Sequence, residues 1–151
     1  GARHTNSETK SNVLGGPNAK FGVPADQIME AYRQAIQAGA KRFGIHMMTG
    51  SCVLGDDYWT ETVTLLLQKM GEIRRELGIE FEFVNIGGGI GVPYEPTKPK
   101  VDYAKLAQRV RDVFTREISA LGIPEEPKLL MECGRCVTGP YGAAERLLRC
   151  P

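Results

Sequence analysis

Along the chain, apolar positions keep two alternating rhythms. Within residues 25–38, Ile28, Met29, Tyr32, Ala35 and Ile36 fall on one helical stripe, with Pro24 suited to a first turn and Gly39 to a stop. The short apolar run at residues 42–46 predicts a strand. A longer helix follows, with Asp56 or Asp57 as N-cap and Glu61 near its positive end. Its stripe is Val63, Leu66, Leu67, Met70, Ile73 and Leu77, closed by Gly78. Residues 80–86 predict a second strand. Asp102 then caps a third helix carrying Tyr103, Leu106, Val110, Val113, Phe114, Ile118 and Leu121, stopped by Gly122 and Pro124. Residues 128–132 predict a third strand, and residues 1–20, polar and turn-rich, an exposed loop. Helix and strand alternate three times. That order implies an α/β fold with parallel strands joined by right-handed helical crossovers.

Bulk properties narrow the function classes. A chain of 151 residues is one domain's worth, and its 42% hydrophobic and 25% charged residues are those of an ordinary soluble protein. A net charge of +1 gives no bulk attraction for nucleic acid or an anionic membrane, so neither is expected as a partner. No apolar run approaches the roughly 20 residues of a membrane span. The chain opens on Gly1-Ala2-Arg3-His4, with no signal peptide and no initiator methionine, so it is expected to be cut from a longer one. Cys133 and Cys136 have C-x-x-C spacing, but no second ligand pair completes a zinc site, and His4 and His46 lie far apart. Reduced thiols and no metal are the expectation, which fits a cytoplasmic protein, or a plastid one in a plant or alga.

Candidate chemistry collects where strands end. The second strand runs into Gly87-Gly88-Gly89, where backbone can approach a ligand and successive amides can cradle an anion as a nest. The spacing is not a dinucleotide fingerprint, since Val92 stands where the last glycine would fall. In parallel α/β folds the strands' carboxyl ends share one face, the face that binds ligands. The first strand ends at His46 with Ser51 beyond it, and the third at Glu132 with Arg135 beyond it. An imidazole, an amide nest, a carboxylate and a guanidinium therefore gather on one rim. The nest and Arg135 suit a phosphate, and the carboxylate suits a protonated ring nitrogen, a pairing that describes pyridoxal phosphate. Plainer readings stand beside each residue. His46 can be a hydrogen-bonded strand end, Ser51 a turn cap, and Glu132 with Arg135 a surface ion pair. Met47, Met48 and Met70 can simply pack. The residues alone give a phosphate-ligand site on an α/β rim.

Four segments, in order, resemble the fold-type III pyridoxal-phosphate decarboxylases. They are Lys20-Phe21-Gly22, residues 44–51, residues 85–94, and Glu132-Cys133-Gly134-Arg135. The resemblance covers about residues 11–142, and Val92-Pro93-Tyr94 after the glycines is similar to the diaminopimelate branch. It implies part of a (β/α)8 barrel, with all 151 residues belonging to that incomplete domain and an atypical tail at 143–151. It implies pyridoxal 5'-phosphate as cofactor, with Gly87, Gly88 and Gly89 at the phosphate, Gly134 and Arg135 nearby, and Ser51 close by. Glu132 would pair with the pyridine nitrogen, and His46 and Met48 are further candidates for contact with the cofactor. The implied reaction is amino-acid decarboxylation, meso-diaminopimelate to lysine first, with arginine or ornithine as other substrates and a homodimeric parent. A non-catalytic homologue acting as a binding or regulatory protein is the alternative, as is a sugar-phosphate barrel enzyme without this cofactor.

Two departures from the family pattern stand out. Where the family usually reads His-x-Gly-Ser, this chain has Met48, with His46 two residues earlier and expected on the opposite side of the extended segment. Cys133 replaces the proline of Glu-Pro-Gly-Arg, which makes the Cys133/Cys136 spacing look incidental. The resemblance puts the Schiff-base lysine upstream of this chain and a C-terminal β-domain downstream. No catalytic residue is therefore expected in the segment itself, which would be inactive alone and would expose strand edges.

Overall fold

The computed structural model describes residues 6–7, 21–48, 50–93 and 97–139. Each helix has the face its stripe predicts, and burial decides which stripes are covered. Helix α1 (Ile28–Gln37) begins later than residue 25: Gln27 N donates to Pro24 O at 2.9 Å in a preceding turn, so Pro24 lies outside the helix. α1 buries none of its residues completely; Ile28, Met29 and Tyr32 lie half-buried against the core. The Tyr32 ring meets Phe43 and Phe81 at centroid distances of 6.2 and 5.6 Å, and its hydroxyl donates to Gly44 O at 2.8 Å.

Helix α2 (Asp56–Leu77) is capped by Gly55 without a side-chain bond, not by Asp56 or Asp57. Those two aspartates sit inside the first turn, where negative charge opposes the helix dipole. Arg109 and Lys105 from the next helix reach them, so the acids serve a helix–helix contact instead of a cap. The far end closes as expected, with Gly78 left-handed at φ 65° and its amide on Arg74 O. Helix α3 (Tyr103–Ala120) has the cap the sequence implied: Asp102 accepts from Lys105 N at 3.0 Å. Val63, Leu66, Leu67, Met70 and Ile73 of α2 and Leu106, Val110, Phe114 and Ile118 of α3 are buried together. Trp59, one turn before Val63 and absent from the expected stripe, is the bulkiest side chain in this core.

The helices cover one face of a three-stranded sheet in the order β2-β4-β5, from β2 (Phe43–His46), β4 (Phe81–Asn85) and β5 (Lys128–Leu130), parallel throughout. Alternating helices and parallel strands form an α/β segment of a barrel domain, as expected. Ile45, Val84 and Ile86 turn toward the helices and are buried. Phe83 and Leu130 stay partly exposed on the sheet. A second pair, β1 (Asn6–Ser7) and β3 (Gly50–Ser51), is also parallel, and Val53 bridges Ile90 in parallel. β1 falls in the stretch read from sequence as loop, where two polar residues carry no apolar pattern to detect. A short helix, α4 (Arg135–Thr138), ends the described chain. The tail at 143–151, Cys150, Lys20, Thr49 and Tyr94 lie outside the described residues.

After β4 the backbone continues beside its neighbours as the glycine run. A Cβ on Gly88 would stand 2.1 Å from Glu132 O, far inside contact distance, and one on Gly89 would stand 2.4 Å from Gly50 O. Gly87 and Gly89 also hold positive φ, at 73° and 104°. The run is a seam: it lets β4's extension touch the segments after β2 and β5 at once.

Two outcomes test this architecture. Burial pushes the Tyr32 phenol up to about 12, so the folded state resists its ionisation. The unfolded chain ionises near pH 10, so this contribution is intact below about pH 10 and is lost as pH rises toward about 12. Tyr32→Phe should flatten that alkaline loss in urea midpoints, and an unchanged slope would place the titration elsewhere. Gly88→Ala should cost about 1–3 kcal/mol by the same measurement, because backbone must move to admit the methyl group. It should also speed hydrogen exchange at Glu132 N, which donates to Gly87 O. A variant as stable and as protected as the parent would mean the strands do not meet there.

Candidate functional site

The parallel register sets the level of each strand end. His46 pairs with Asn85 and Asn85 with Leu130, and the ladder runs on through Met47 N to Asn85 O, Ile86 N to Leu130 O, and Glu132 N to Gly87 O. His46, the glycine run and Glu132 therefore emerge at one rim, as the strand order implied. Gly89 also lies against Ser51, whose Cα is 3.2 Å from where its Cβ would be.

Asn85 ties the rim together. Its Nδ2 donates to Glu132 Oε1 at 2.7 Å, while its Oδ1 accepts from Gly87 N at 2.9 Å. One side chain thus fixes the acid and the first turn of the glycine run. The sequence reading did not single it out; an asparagine two residues before an amide it can bond, at a strand end before glycines, was the available signal. His46 Nε2 approaches the same Glu132 oxygen at 3.7 Å, with both side chains well exposed. Such an exposed pair contributes little to stability, so its interest is chemical. Glu132 Oε2 takes no partner among the described residues.

The glycine run does not form the open nest expected of it. Gly87 N is taken by Asn85, and Gly88 N donates to Met48 Sδ at 3.2 Å. Two of the three amides are satisfied inside the protein, which leaves Gly89 as the part of the run beside Ser51. Met48 and His46 were expected on opposite sides of their segment. Instead both reach across to the β4–β5 end, Met48 to Gly88 and His46 to Glu132, as residues two apart in an extended segment share a side.

Arg135 is exposed at the start of α4, with Gly134 as its N-cap residue, and has no ion pair among the described residues. It does not pair with Glu132, whose contacts run to Asn85 and His46. The surface ion pair considered above is thus absent among the described residues. Free of one another, the carboxylate and the guanidinium can address different parts of one ligand.

The site's likeness to known proteins runs the same way. Residues 3–139 match the family described as pyridoxal-dependent decarboxylase, pyridoxal binding domain. Protein TabA of Pseudomonas amygdali pv. tabaci is 36% identical over 124 residues, covering 82% of this chain and 29% of its own. Diaminopimelate decarboxylase of Methanothermobacter thermautotrophicus is 33% identical over 127 residues, covering 84% of this chain and 29% of its own. Among solved structures, diaminopimelate decarboxylase from M. jannaschii in co-complex with L-lysine superposes with a TM-score of 0.71 at 28% identity. That superposition covers 81% of this chain and 28% of the other. The chain spans under a third of the length of the relatives it matches. With its parallel strands, shared rim and match across residues 3–139, the chain belongs to the pyridoxal-dependent decarboxylases, within their pyridoxal-binding domain.

Proposed function

We propose that this chain is the cofactor-holding part of an amino-acid decarboxylase acting on meso-diaminopimelate. The observation that carries the reading is the rim acid. Glu132 is accessible, aimed through one oxygen by Asn85, and its second oxygen has no partner among the described residues. A ring nitrogen that must stay protonated needs such an acceptor. Around it, Ser51, Gly89, Gly134 and Arg135 supply small groups and an exposed cation suited to a phosphate, so the residues fit pyridoxal phosphate.

When bound, pyridoxal phosphate supplies an electron sink for the charge left by carbon dioxide loss. The chain's own residues do the rest. Glu132 would hold the proton at the ring nitrogen, and Asn85 keeps its carboxylate from rotating away. Arg135 would neutralise phosphate charge. Met48, bonded to Gly88 N, offers a polarizable apolar surface at the place where the family usually has an imidazole. Diaminopimelate as substrate is supported by the relatives named for that activity and by the L-lysine co-complex of one of them.

The test uses the complete protein that contains these residues. Glu132→Gln should lower kcat at least about 100-fold, the usual scale for losing a positioned proton-holding group, while pyridoxal phosphate still binds. Arg135→Ala should instead weaken cofactor affinity by about 10-fold or more, read by absorbance titration. Carbon dioxide release from meso-diaminopimelate should exceed release from arginine or ornithine. Near-normal turnover in Glu132→Gln would remove Glu132 from its role, and a preference for arginine would overturn the substrate.

A further inference from the structure

Cys133 and Cys136 sit in the turn that joins Glu132 to α4, and the cofactor reading gives neither thiol a task. Both are free and half-buried. The chain folds back so that Cys136 Sγ lies 3.9 Å from Cys133 O. The fold-back is built by Val137 N and Thr138 N, which both donate to Gly134 O at 3.0 and 3.1 Å. Cys133 is pinned from the other side as well. Its amide lies 3.6 Å from where a Cβ on Gly88 would be.

A C-x-x-C step that folds back until one sulfur lies against the other cysteine's backbone can be bridged without moving the backbone far, which is what a disulfide requires. We propose that Cys133 and Cys136 are a redox pair that closes into an intramolecular disulfide by exchange with a small-molecule disulfide of the glutathione type. Burial pushes the Cys133 thiol up, so Cys133 attacks second. In the first step the Cys136 thiolate attacks the small disulfide, forming a mixed disulfide and releasing one small thiolate. Cys133 then gives its proton to solvent and attacks the Cys136 sulfur, expelling the second small thiolate. Two protein thiols lose two electrons, and one small disulfide becomes two small thiols. The second step is intramolecular, so it outruns release of the mixed form. Closure turns Gly134 and Arg135 into members of a small ring and stiffens the turn that carries the guanidinium. The exchange itself stands whether or not the cofactor reading does.

Sequence supplies a direct readout. Trypsin cuts after Arg135, between the two cysteines, so residues 129–135 and 136–146 separate in the reduced protein and stay joined only through the disulfide. The complete protein is equilibrated in glutathione redox buffers, alkylated, digested and analysed by mass. The joined pair should appear with a single two-electron midpoint and vanish in Cys133→Ser and in Cys136→Ser, with Cys52 alkylated throughout. Absence of the joined peptides in fully oxidising buffer, or bridging of Cys133 to Cys52 or Cys150 instead, overturns the proposal. Glutathione left on Cys136 at equilibrium would overturn it too.

Discussion

Everything at the rim depends on how closely the backbone after β4 approaches the backbone after β5. Gly88 and Glu132 O are so near that a single methyl group does not fit between them. That approach carries the parallel ladder past the last regular strand residues, so Glu132 N still finds Gly87 O. It also sets the separation of Asn85 and Glu132, and hence the bond that aims the carboxylate. Side-chain chemistry here is a consequence of missing side chains one residue further along.

Helices and core were legible in the sequence because burial imposes periodicity. The stripes of α2 and α3 turned inward as read except at Tyr103, which stays exposed, and Asp102 and Gly78 cap their helices by the bonds their chemistry allows. What failed was local competition. Asp56 is a good cap in isolation, but Lys105 and Arg109 offer its carboxylate a partner on α3, and Gly55 takes the cap position at no steric cost. Trp59 escaped because a large aromatic at a helix start is ambiguous until the opposing helix is known. β1 escaped because two polar residues carry no apolar rhythm to read.

The site was legible as a place more than as a mechanism. Strand order put His46, the glycines and Glu132 on one rim without any knowledge of distances. Direction of individual groups was not available from order, since it depends on turns. The glycine amides, read as an anion nest, are turned toward Asn85 and Met48 instead. Asn85 itself was overlooked because an amide side chain carries no charge and belongs to no catalytic pattern; its importance is purely that it bonds in two directions.

Met48 has a definite chemical character at this rim. A thioether can accept a weak bond from Gly88 N and lie against a flat apolar surface, but it holds no proton at any ordinary pH. The polar groups of the rim are His46, Asn85 and Glu132. His46 stands 3.7 Å from Glu132 Oε1, and Asn85 donates to that same oxygen, so two neighbours on the adjoining strands hold the carboxylate in one orientation. The rim thus divides its work: sulfur and glycine shape the surface, and His46 and Asn85 set the direction of the Glu132 carboxylate.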